Sequence, residues 1–540
     1  MPALSRRKIN FLIVGVFILI FVMGLLVSAD YGPHFDEPSE IKILQMNILE
    51  VAGRLFSEDS EIVYKLRDAG IGRISMNSDR DHGIAAYYPF ALLLLRDDVL
   101  GGSYEFADIS LPFHYYTFAI CFAGLIAFYF LVYELFRNKG AALLSALILF
   151  ASPRFFAEMH YNNKDVVLMY LLIGSCLFGI RAIKYRRVLD VLLYSLIAAL
   201  AANTKIIGLY FFGVIGLAYI LYISLHMQWN RRSIFTVCLT IASFLVLYYL
   251  LTPAMWSDPL GFFRHCLNNT FDFSRWSGSV VFEGTIYKVP QMPLPRSYIP
   301  KLIGISTPVF ILLLALAGVL FLAALPIVRQ GKAKEERRDQ GIFIAMICLC
   351  ALAPVLLAVF NPPVVYNGWR HFYFAYAGIM ILAAYGLIRL MGKYKKITVT
   401  ATVLCLVFLS VQNVLNHPNQ QTYYNFLAGS DVESNYELDY WNVSTREGLL
   451  YVAERSSGDI CVSSYLSNDN GIRWGLLTLD RELRDRISIV GPENIEKADY
   501  VVENSTYQLY SGETGAPPGF EYLDSIRSYG NPIVNIYVRK

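Results

Sequence analysis

Long apolar segments alternate with short polar ones along the first 415 residues of the chain. A helix that spans a membrane needs about 20 mostly apolar residues, and the pattern offers eleven such candidates. They lie at 9–29, 113–136, 141–153, 166–183, 188–203, 206–226, 233–254, 302–328, 341–360, 372–391 and 397–415. The segment 84–95 is apolar but too short to span and contains Pro89, so it predicts a re-entrant or interfacial helix.

The pattern changes after residue 415, where the apolar runs become shorter. Three of these runs, at 459–463, 499–503 and 532–538, have the pattern of strands. A fourth, at 444–455, has helical spacing. We therefore predict an all-α polytopic membrane domain of about eleven helices over 1–415, followed by a small α/β domain over 416–540.

Composition agrees with a membrane protein. The chain has 540 residues, of which 55% are hydrophobic and only 16% are charged. Soluble proteins have roughly a quarter of their residues charged, and a soluble chain of this length needs charged surface for several domains. The 37 Gly and 22 Pro residues show no periodic repeat, which excludes a fibrous protein.

Charge is distributed unevenly and indicates two compartments. Residues 417–540 hold 18 acidic and 10 basic side chains, although the whole chain has a net charge of +3. Lys and Arg concentrate in alternate short loops, so the N-terminus is predicted to be cytoplasmic and the C-terminal domain extracytoplasmic. The first span is longer than the core of a signal peptide and predicts an uncleaved anchor. This distribution favours a membrane setting over a nucleic-acid partner.

The predicted spans contain few ionisable residues, which argues against an ion-coupled transporter. Polar residues instead collect in four clusters at the predicted outer ends of spans, at 30–38, 152–165, 255–301 and 366–371. In the first cluster, Asp36 and Glu37 follow the first span directly, and a carboxylate there can act as a general base. The alternative is a solvated loop that leads into a helix N-terminus.

Cations mark the second and fourth clusters. Lys164 can neutralise a phosphate as a point charge, and His160 can hydrogen-bond one, with Asp165 beside them. Arg370, next to His371, can bind a phosphate through two parallel hydrogen bonds. The alternative interpretation is that these side chains anchor helix ends at the membrane interface.

Motifs of other enzyme classes are absent from the sequence. It has no GxxxxGK[ST] and no GxGxxG between a strand and a helix, so a soluble nucleotide cofactor is not expected. Six of the eight cysteines lie in apolar runs, and no His or Cys spacing indicates a metal site.

Taken in order, the motifs resemble glycosyltransferase family 39 of the GT-C fold, which includes the dolichyl-phosphate-mannose–protein mannosyltransferases and the bacterial aminoarabinose transferase. The resemblance lies in the acidic pair Asp36-Glu37 and in four segments: SPRFFAEMHYNNKD (152–165), NGWRHFYF (367–374), HPNQQTYYNFLAG (417–429) and DYWNVSTREGL (439–449). Asn163 stands where the bacterial branch often has Pro.

The resemblance implies a sugar donor on a polyisoprenyl phosphate and an acceptor hydroxyl on a protein, lipid or glycan, at the outer face of a bacterial plasma membrane. It implies Asp36 as general base, with inversion at the sugar, and Glu37 as its modulator. The lipid phosphate is expected to contact the cationic segments, with roles for His160, Lys164, Asp165, Arg370 and His371. No cofactor is certain, and a divalent cation is left open.

Two other classes of function stay open at the level of sequence. The first is a transporter or flippase of a lipid-linked or amphipathic solute, with the segment 84–95 as part of a gated path. The second is a receptor or scaffold that displays the acidic C-terminal domain.

Overall fold

We describe a computed structural model of the chain that covers residues 6–57, 60–96, 105–271, 276–324, 332–466, 469–513 and 515–540. The N-terminal part is almost entirely helical. Its longer helices are α1 Arg6–Val27, α2 Glu37–Leu55, α3 Glu61–Asp68, α4 Ala107–Phe136, α5 Lys139–Phe150, α6 Pro153–Tyr161, α7 Asp165–Tyr185, α8 Val188–Thr204, α9 Ile207–Leu225, α10 Arg231–Leu251, α11 Pro259–Phe271, α12 Tyr298–Ser306, α13 Val309–Ala323, α14 Lys332–Phe360 and α15 Ala375–Leu415.

Ten of the eleven predicted apolar segments each fall mainly on one helix of this list. The segment 302–328 is instead divided between α12 and α13, whose axes are bent by 114° from each other, and its residues 325–328 lie outside the described ones. Within the described residues, seven helices are long and apolar enough to cross a membrane, or nine if each of two bent helix pairs is one span. The helix α8 is apolar but shorter. The predicted class, a helical polytopic membrane domain, is confirmed, whereas the number of crossings stays a prediction.

The helix α15 is 41 residues long and folds back on itself. Tyr394, in its middle, has the non-helical backbone angles φ −131° and ψ 48°. The hydroxyl of Tyr376 hydrogen-bonds with Ser152 Oγ at 2.8 Å, and Asn413 donates to the carbonyl of Ala151 at 3.1 Å. A straight helix would separate residues 376 and 413 by roughly 55 Å. The start of the predicted segment 372–391 and the end of the predicted segment 397–415 therefore lie at the same side of the bundle.

The segment 152–165, predicted as a connection between two spans, is mostly a helix. Pro153 is the first residue of α6. A proline is tolerated there because the N–H that it lacks would have no partner within the helix. The axis of α6 is bent by 72° from that of α5. Every residue of α6 is buried, so this short helix is part of the interior.

The C-terminal part forms the predicted α/β domain. It contains the helices α16 Thr445–Arg455, α17 Asp469–Leu476 and α18 Ser505–Ser511, and the strands β3 Ile460–Ser463, β4 Ile487–Val490, β5 Tyr500–Asn504, β6 Phe520–Ser528 and β7 Asn531–Arg539. The strands lie in the order β4-β3-β5-β7-β6; the first three are parallel, and β7 is antiparallel to both of its neighbours. The apolar face of α16 packs on this sheet through Leu449 and Val452.

Shorter elements join these parts. The long segment before α12 contains an antiparallel hairpin of β1 Gly278–Phe282 and β2 Thr285–Val289. One-turn helices lie at Ala91–Leu94, Val432–Asn435 and Arg481–Arg484. The segment 84–95 consists of the 3-10 turn Ala85–Tyr87 and the first of these one-turn helices, as expected for a segment that does not span.

Candidate active site

A cavity of about 680 Å³ lies where the helical bundle meets the C-terminal domain. Polar side chains reach it from the ends of several helices, because the loop after α1, the start of α7, the end of α8 and the loop before α15 all lie at this side. Its charged and histidine side chains are His34, Asp36, Glu40, Asp79, Asp81, His82, Lys164, Asp165, Lys205, Arg370 and His371. The C-terminal domain contributes aromatic residues to its wall, namely Tyr440, Trp441, Tyr507 and Tyr510.

Asp36 is an accessible charged group in this cavity. Its side chain is 42% exposed, and Oδ2 lies 3.3 Å from Nη1 of Arg370. Partial burial raises the pKa of the Asp36 carboxyl, but Arg370, His34 and Lys164 lower it by more, so the pKa lies below its ordinary value. The Arg370 guanidinium is held over the Trp441 ring, 4.2 Å from its centroid. Asp36 is therefore a carboxylate open to a ligand and restrained by a single arginine.

Lys164 forms a second ion pair at the cavity wall. Its Nζ contacts the Glu40 carboxylate and donates to Nδ1 of His82 at 3.0 Å. Burial lowers the pKa of Lys164, but the carboxylates of Glu40 and Asp36 outweigh burial and raise it. Lys164 is therefore protonated, and its charge is offset by Glu40.

Lys205 completes a set of three cations. It follows α8 and pairs with Asp165, the first residue of α7. Asn162 fixes the geometry of this turn, since its side-chain oxygen accepts from the backbone N–H of Asp165 at 2.8 Å. The cavity therefore contains three ion pairs, each with a cation that an anionic ligand can engage in place of its carboxylate.

Glu37 does not lie in the cavity, contrary to what its position beside Asp36 indicated. It opens α2, and its carboxylate points into the interior, where it accepts from Ser110 Oγ at 2.5 Å and pairs with His114 Nε2 at 2.8 Å. Successive residues at a helix start point in directions about 100° apart, so one acidic residue faces the cavity and its neighbour faces α4. Glu37 anchors the start of α2 and is too deeply buried to contact an acceptor.

His160, predicted from the sequence as a phosphate ligand, also lies outside the cavity. Its ring is stacked between Phe118 and Tyr31, with centroids at 4.9 and 4.8 Å, and Nδ1 hydrogen-bonds with Ser28 Oγ at 2.8 Å. This residue is fully buried because α6 is an interior helix. By contrast, His371 does line the cavity, with its ring edge against Tyr366 at 4.7 Å.

Sequence reasoning missed Glu40, Lys205 and His34. Glu40 lies one helical turn after Asp36, and Lys205 is a lone cation at the end of an apolar span. Neither position alone is enough to indicate a functional residue in the sequence. His34 is buried beside Asp36, and its ring nitrogens have no hydrogen-bond partner within the part of the chain that is described. Burial lowers the pKa of His34 to about 4, so the ring is neutral near pH 7.

The described residues include no group of three or more His, Cys, Asp or Glu side chains arranged to hold a metal ion.

Together, the apolar helices and this cavity define an integral membrane protein with a cation-rich chamber at one end of its helical bundle, closed on one side by the C-terminal domain. Residues 113–256 match the family model described as dolichyl-phosphate-mannose-protein mannosyltransferase. The match agrees with the resemblance drawn from the sequence motifs and includes Lys164, Asp165 and Lys205. No curated protein matches the sequence.

Three solved structures are similar to the chain. One is ArnT from Cupriavidus metallidurans bound to undecaprenyl phosphate, with 12% identity, a TM-score of 0.46, and 99% of this chain and 98% of ArnT covered. The oligosaccharyltransferase of Archaeoglobus fulgidus in complex with Zn and sulfate has 12% identity and a TM-score of 0.40, with 95% and 73% covered. Arabinofuranosyltransferase AftD from Mycobacteria has 14% identity and a TM-score of 0.39, with 99% and 40% covered.

Proposed function

We propose that the protein is a membrane glycosyltransferase that moves a sugar from a polyisoprenyl-phosphate donor to an acceptor hydroxyl at the non-cytoplasmic face. The observation that carries this proposal is one cavity in which an accessible carboxylate, Asp36, faces the three cations Lys164, Lys205 and Arg370. The mannosyltransferase family model supports the same class of reaction. The ArnT structure contains bound undecaprenyl phosphate, which is a polyisoprenyl phosphate.

In the proposed reaction, Asp36 accepts the proton of the acceptor hydroxyl as its oxygen attacks the anomeric carbon of the sugar. The new C–O bond forms as the bond from that carbon to the phosphate oxygen breaks, and the electron pair leaves with the phosphate. Attack from the face opposite the leaving group inverts the anomeric centre. Negative charge grows on the phosphate in the transition state, where Arg370, Lys164 and Lys205 stabilise it.

The ion pairs couple donor binding to the activation of Asp36. A donor phosphate that engages Arg370 weakens its pairing with Asp36 at 3.3 Å. Because this pairing contributes most to lowering the pKa of Asp36, its loss raises the pKa and makes the carboxylate a stronger base. In this proposal the base becomes effective only once the donor is in place.

Transfer of a labelled sugar by the purified protein in proteoliposomes tests the proposal, with a polyisoprenyl-phosphate sugar as donor. Replacement of the base, Asp36→Asn, is expected to lower the rate by roughly 10²–10⁴-fold. The matched control is Glu50→Gln on the same helix, because Glu50 pairs with Arg54 and does not line the cavity. It should stay within about twofold of the wild type. A D36N variant that transfers sugar at the wild-type rate would overturn the assignment of the base.

A further inference from the structure

We propose that Glu437, in the C-terminal domain, is a positioning residue. It holds the loop before α15, residues 361–369 with Arg370 at its end (the Arg370 loop), in the geometry that binds phosphate. This inference rests on the proposed function, because it assigns Glu437 a part in the binding of the donor phosphate. Glu437 precedes the DYW segment by two residues, and it does not line the cavity. Any effect on the ligand therefore passes through the residues that it holds.

The Glu437 carboxylate is 3% exposed and accepts four hydrogen bonds from three separate parts of the chain. Oε1 accepts from Asn367 Nδ2 at 2.8 Å, from the Tyr510 hydroxyl at 2.8 Å and from the backbone N–H of Val281 at 3.2 Å. Oε2 accepts from the backbone N–H of Gly368 at 2.9 Å. One side chain thus joins the loop before α15, the strand β1 and the helix α18.

The loop that Glu437 holds has little regular structure of its own. Residues 361–369 form neither helix nor strand, and the 3-10 turn Arg370–Phe372 follows directly. Gly368 has a φ of +66°, and a Cβ at this position would lie 2.9 Å from the Tyr440 ring. The loop is therefore shaped by contacts with the C-terminal domain, and only one residue, Trp369, separates the Gly368 anchor from Arg370.

The chemistry of the anchor requires both oxygens of a carboxylate. Gln at position 437 has one acceptor oxygen and one NH2 group, which is itself a donor and cannot accept from either Gly368 or Asn367. At least one buried donor is then left without a partner, and that loss costs about 1–3 kcal/mol. The loop carrying Arg370 is the element that can move to relieve the mismatch, since β1 and α18 belong to regular structure.

The chain offers a matched control in Glu503, a second buried carboxylate of the C-terminal domain. Glu503 is 1% exposed, and its Oε2 accepts from the N–H groups of Tyr465 and Leu466 at 2.8 and 2.9 Å. It has the same chemistry as Glu437, but these hydrogen bonds go to residues 464–466 and not to residues 361–372. Glu503→Gln therefore perturbs the domain without acting on the Arg370 loop.

The test compares Glu437→Gln with Glu503→Gln in the full-length protein by two measurements. Hydrogen exchange of peptides covering 361–374 is expected to become at least tenfold faster in E437Q and to stay at the wild-type rate in E503Q. The Kd of undecaprenyl phosphate is expected to rise about tenfold in E437Q, as one lost buried hydrogen bond implies, and to stay within twofold in E503Q. If E437Q does not fold, Tyr510→Phe removes one donor to the same carboxylate and should speed the exchange of 361–374 more weakly; exchange is the readout for this variant, because Tyr510 itself lines the cavity.

Equal effects of the two substitutions on the Kd would overturn the proposal, because they would indicate general loosening of the domain. Faster exchange in E437Q without a change in Kd would also overturn it. A wild-type protein that neither binds the lipid phosphate nor transfers sugar contradicts the proposed function instead. In that case the exchange measurement still decides whether Glu437 holds the loop.

Discussion

At the scale of single residues, each of the three cations Lys164, Lys205 and Arg370 in the cavity faces a carboxylate. Arg370 faces Asp36, Lys164 faces Glu40, and Lys205 faces Asp165. A buried cation without a partner is costly, so the carboxylates keep each cation charged and in place until a ligand arrives. A donor phosphate then replaces a carboxylate at a position already arranged for an anion.

The pairing of Asp36 with Arg370 predicts a shift in the pH dependence of transfer. Asp36 acts as a base only when deprotonated, so kcat/KM falls as the pH drops through its pKa. Arg370→Gln removes the interaction that contributes most to lowering this pKa, and the acid limb of the profile should move to higher pH. Arg370→Lys keeps a positive charge and should leave the limb closer to its wild-type position. An acid limb that stays in place in R370Q, or moves to lower pH, contradicts the assignment.

Lys205 provides a second test at this scale. Lys205→Gln removes one charge-assisted contact to the donor phosphate, and the Kd of the lipid phosphate should rise about tenfold. The control is Lys301→Gln, since Lys301 is also ion-paired, with Glu283, but lies outside the cavity. Binding measured by fluorescence or scintillation proximity should separate the two variants. Equal affinities for K205Q and the wild type would remove Lys205 from the site.

Five of the seven residues predicted for the site line the cavity, and the other two, Glu37 and His160, lie outside it for a physical reason. Asp36, Lys164 and Arg370 were recognisable because charged residues are rare beside apolar spans and cluster at their ends. Glu37 and His160 carry the same chemistry but point into the interior. Their direction is set by the phase of a helix start and by the burial of α6, neither of which is readable from residue type.

At the scale of elements, the loop before α15 owes its shape to a few fixed contacts. Gly368 is in the left-handed region, and Tyr298 donates to its carbonyl at 3.1 Å. Trp369 donates to Ser306 Oγ at 2.8 Å, which ties the loop to α12 as well. The loop that carries Arg370 is thus clamped between the helical bundle and the C-terminal domain.

Substitution of Gly368 by Ala tests whether the shape of the loop before α15 depends on these contacts. The added Cβ meets the Tyr440 ring, and the positive φ adds strain of order 1–3 kcal/mol. We expect a lower Tm in detergent and a higher KM for the donor. Gly304→Ala, in the helix α12, is the control, because nothing lies within 4 Å of its added Cβ. G304A should leave the Tm unchanged or raise it, and a G368A variant as stable and active as G304A contradicts this account of the loop.

Most elements were predictable from apolar periodicity, and the exceptions have identifiable causes. The strands β3, β5 and β7 and the helix α16 lie within a few residues of their predicted positions. The strand β4 lies at the edge of the sheet and buries only its first residue, Ile487, whereas β6 is mostly exposed and rich in polar residues. The bend at Pro153 depends on tertiary packing, which no local pattern records. The reversal at Tyr394, by contrast, lies in the break between the predicted segments 372–391 and 397–415.

At the scale of the whole molecule, the C-terminal domain is part of the chamber and not a separate appendage. Its residues Tyr440 and Trp441 form part of the cavity wall, Trp441 supports the Arg370 guanidinium, and Glu437 holds the loop beside it. The acidic excess of this domain and the basic loops of the bundle predict that the chamber faces away from the cytoplasm.

Protease protection tests this orientation. In sealed right-side-out vesicles, trypsin should cleave sites in residues 480–497, which include exposed Arg481, and should spare the loop at Lys393–Lys396. Inverted vesicles should give the opposite pattern. Cleavage of the C-terminal domain only in inverted vesicles would place the chamber at the cytoplasmic face and contradict the predicted topology.

The central claim is that the three cations of one cavity bind the phosphate of a polyisoprenyl lipid. Native mass spectrometry of the purified protein with undecaprenyl phosphate measures this binding directly. We predict one lipid phosphate bound per chain in the wild type, and loss of that species in the triple variant Lys164→Gln, Lys205→Gln, Arg370→Gln. A wild-type protein that binds none at saturating lipid, or a triple variant that binds it equally well, would contradict the claim.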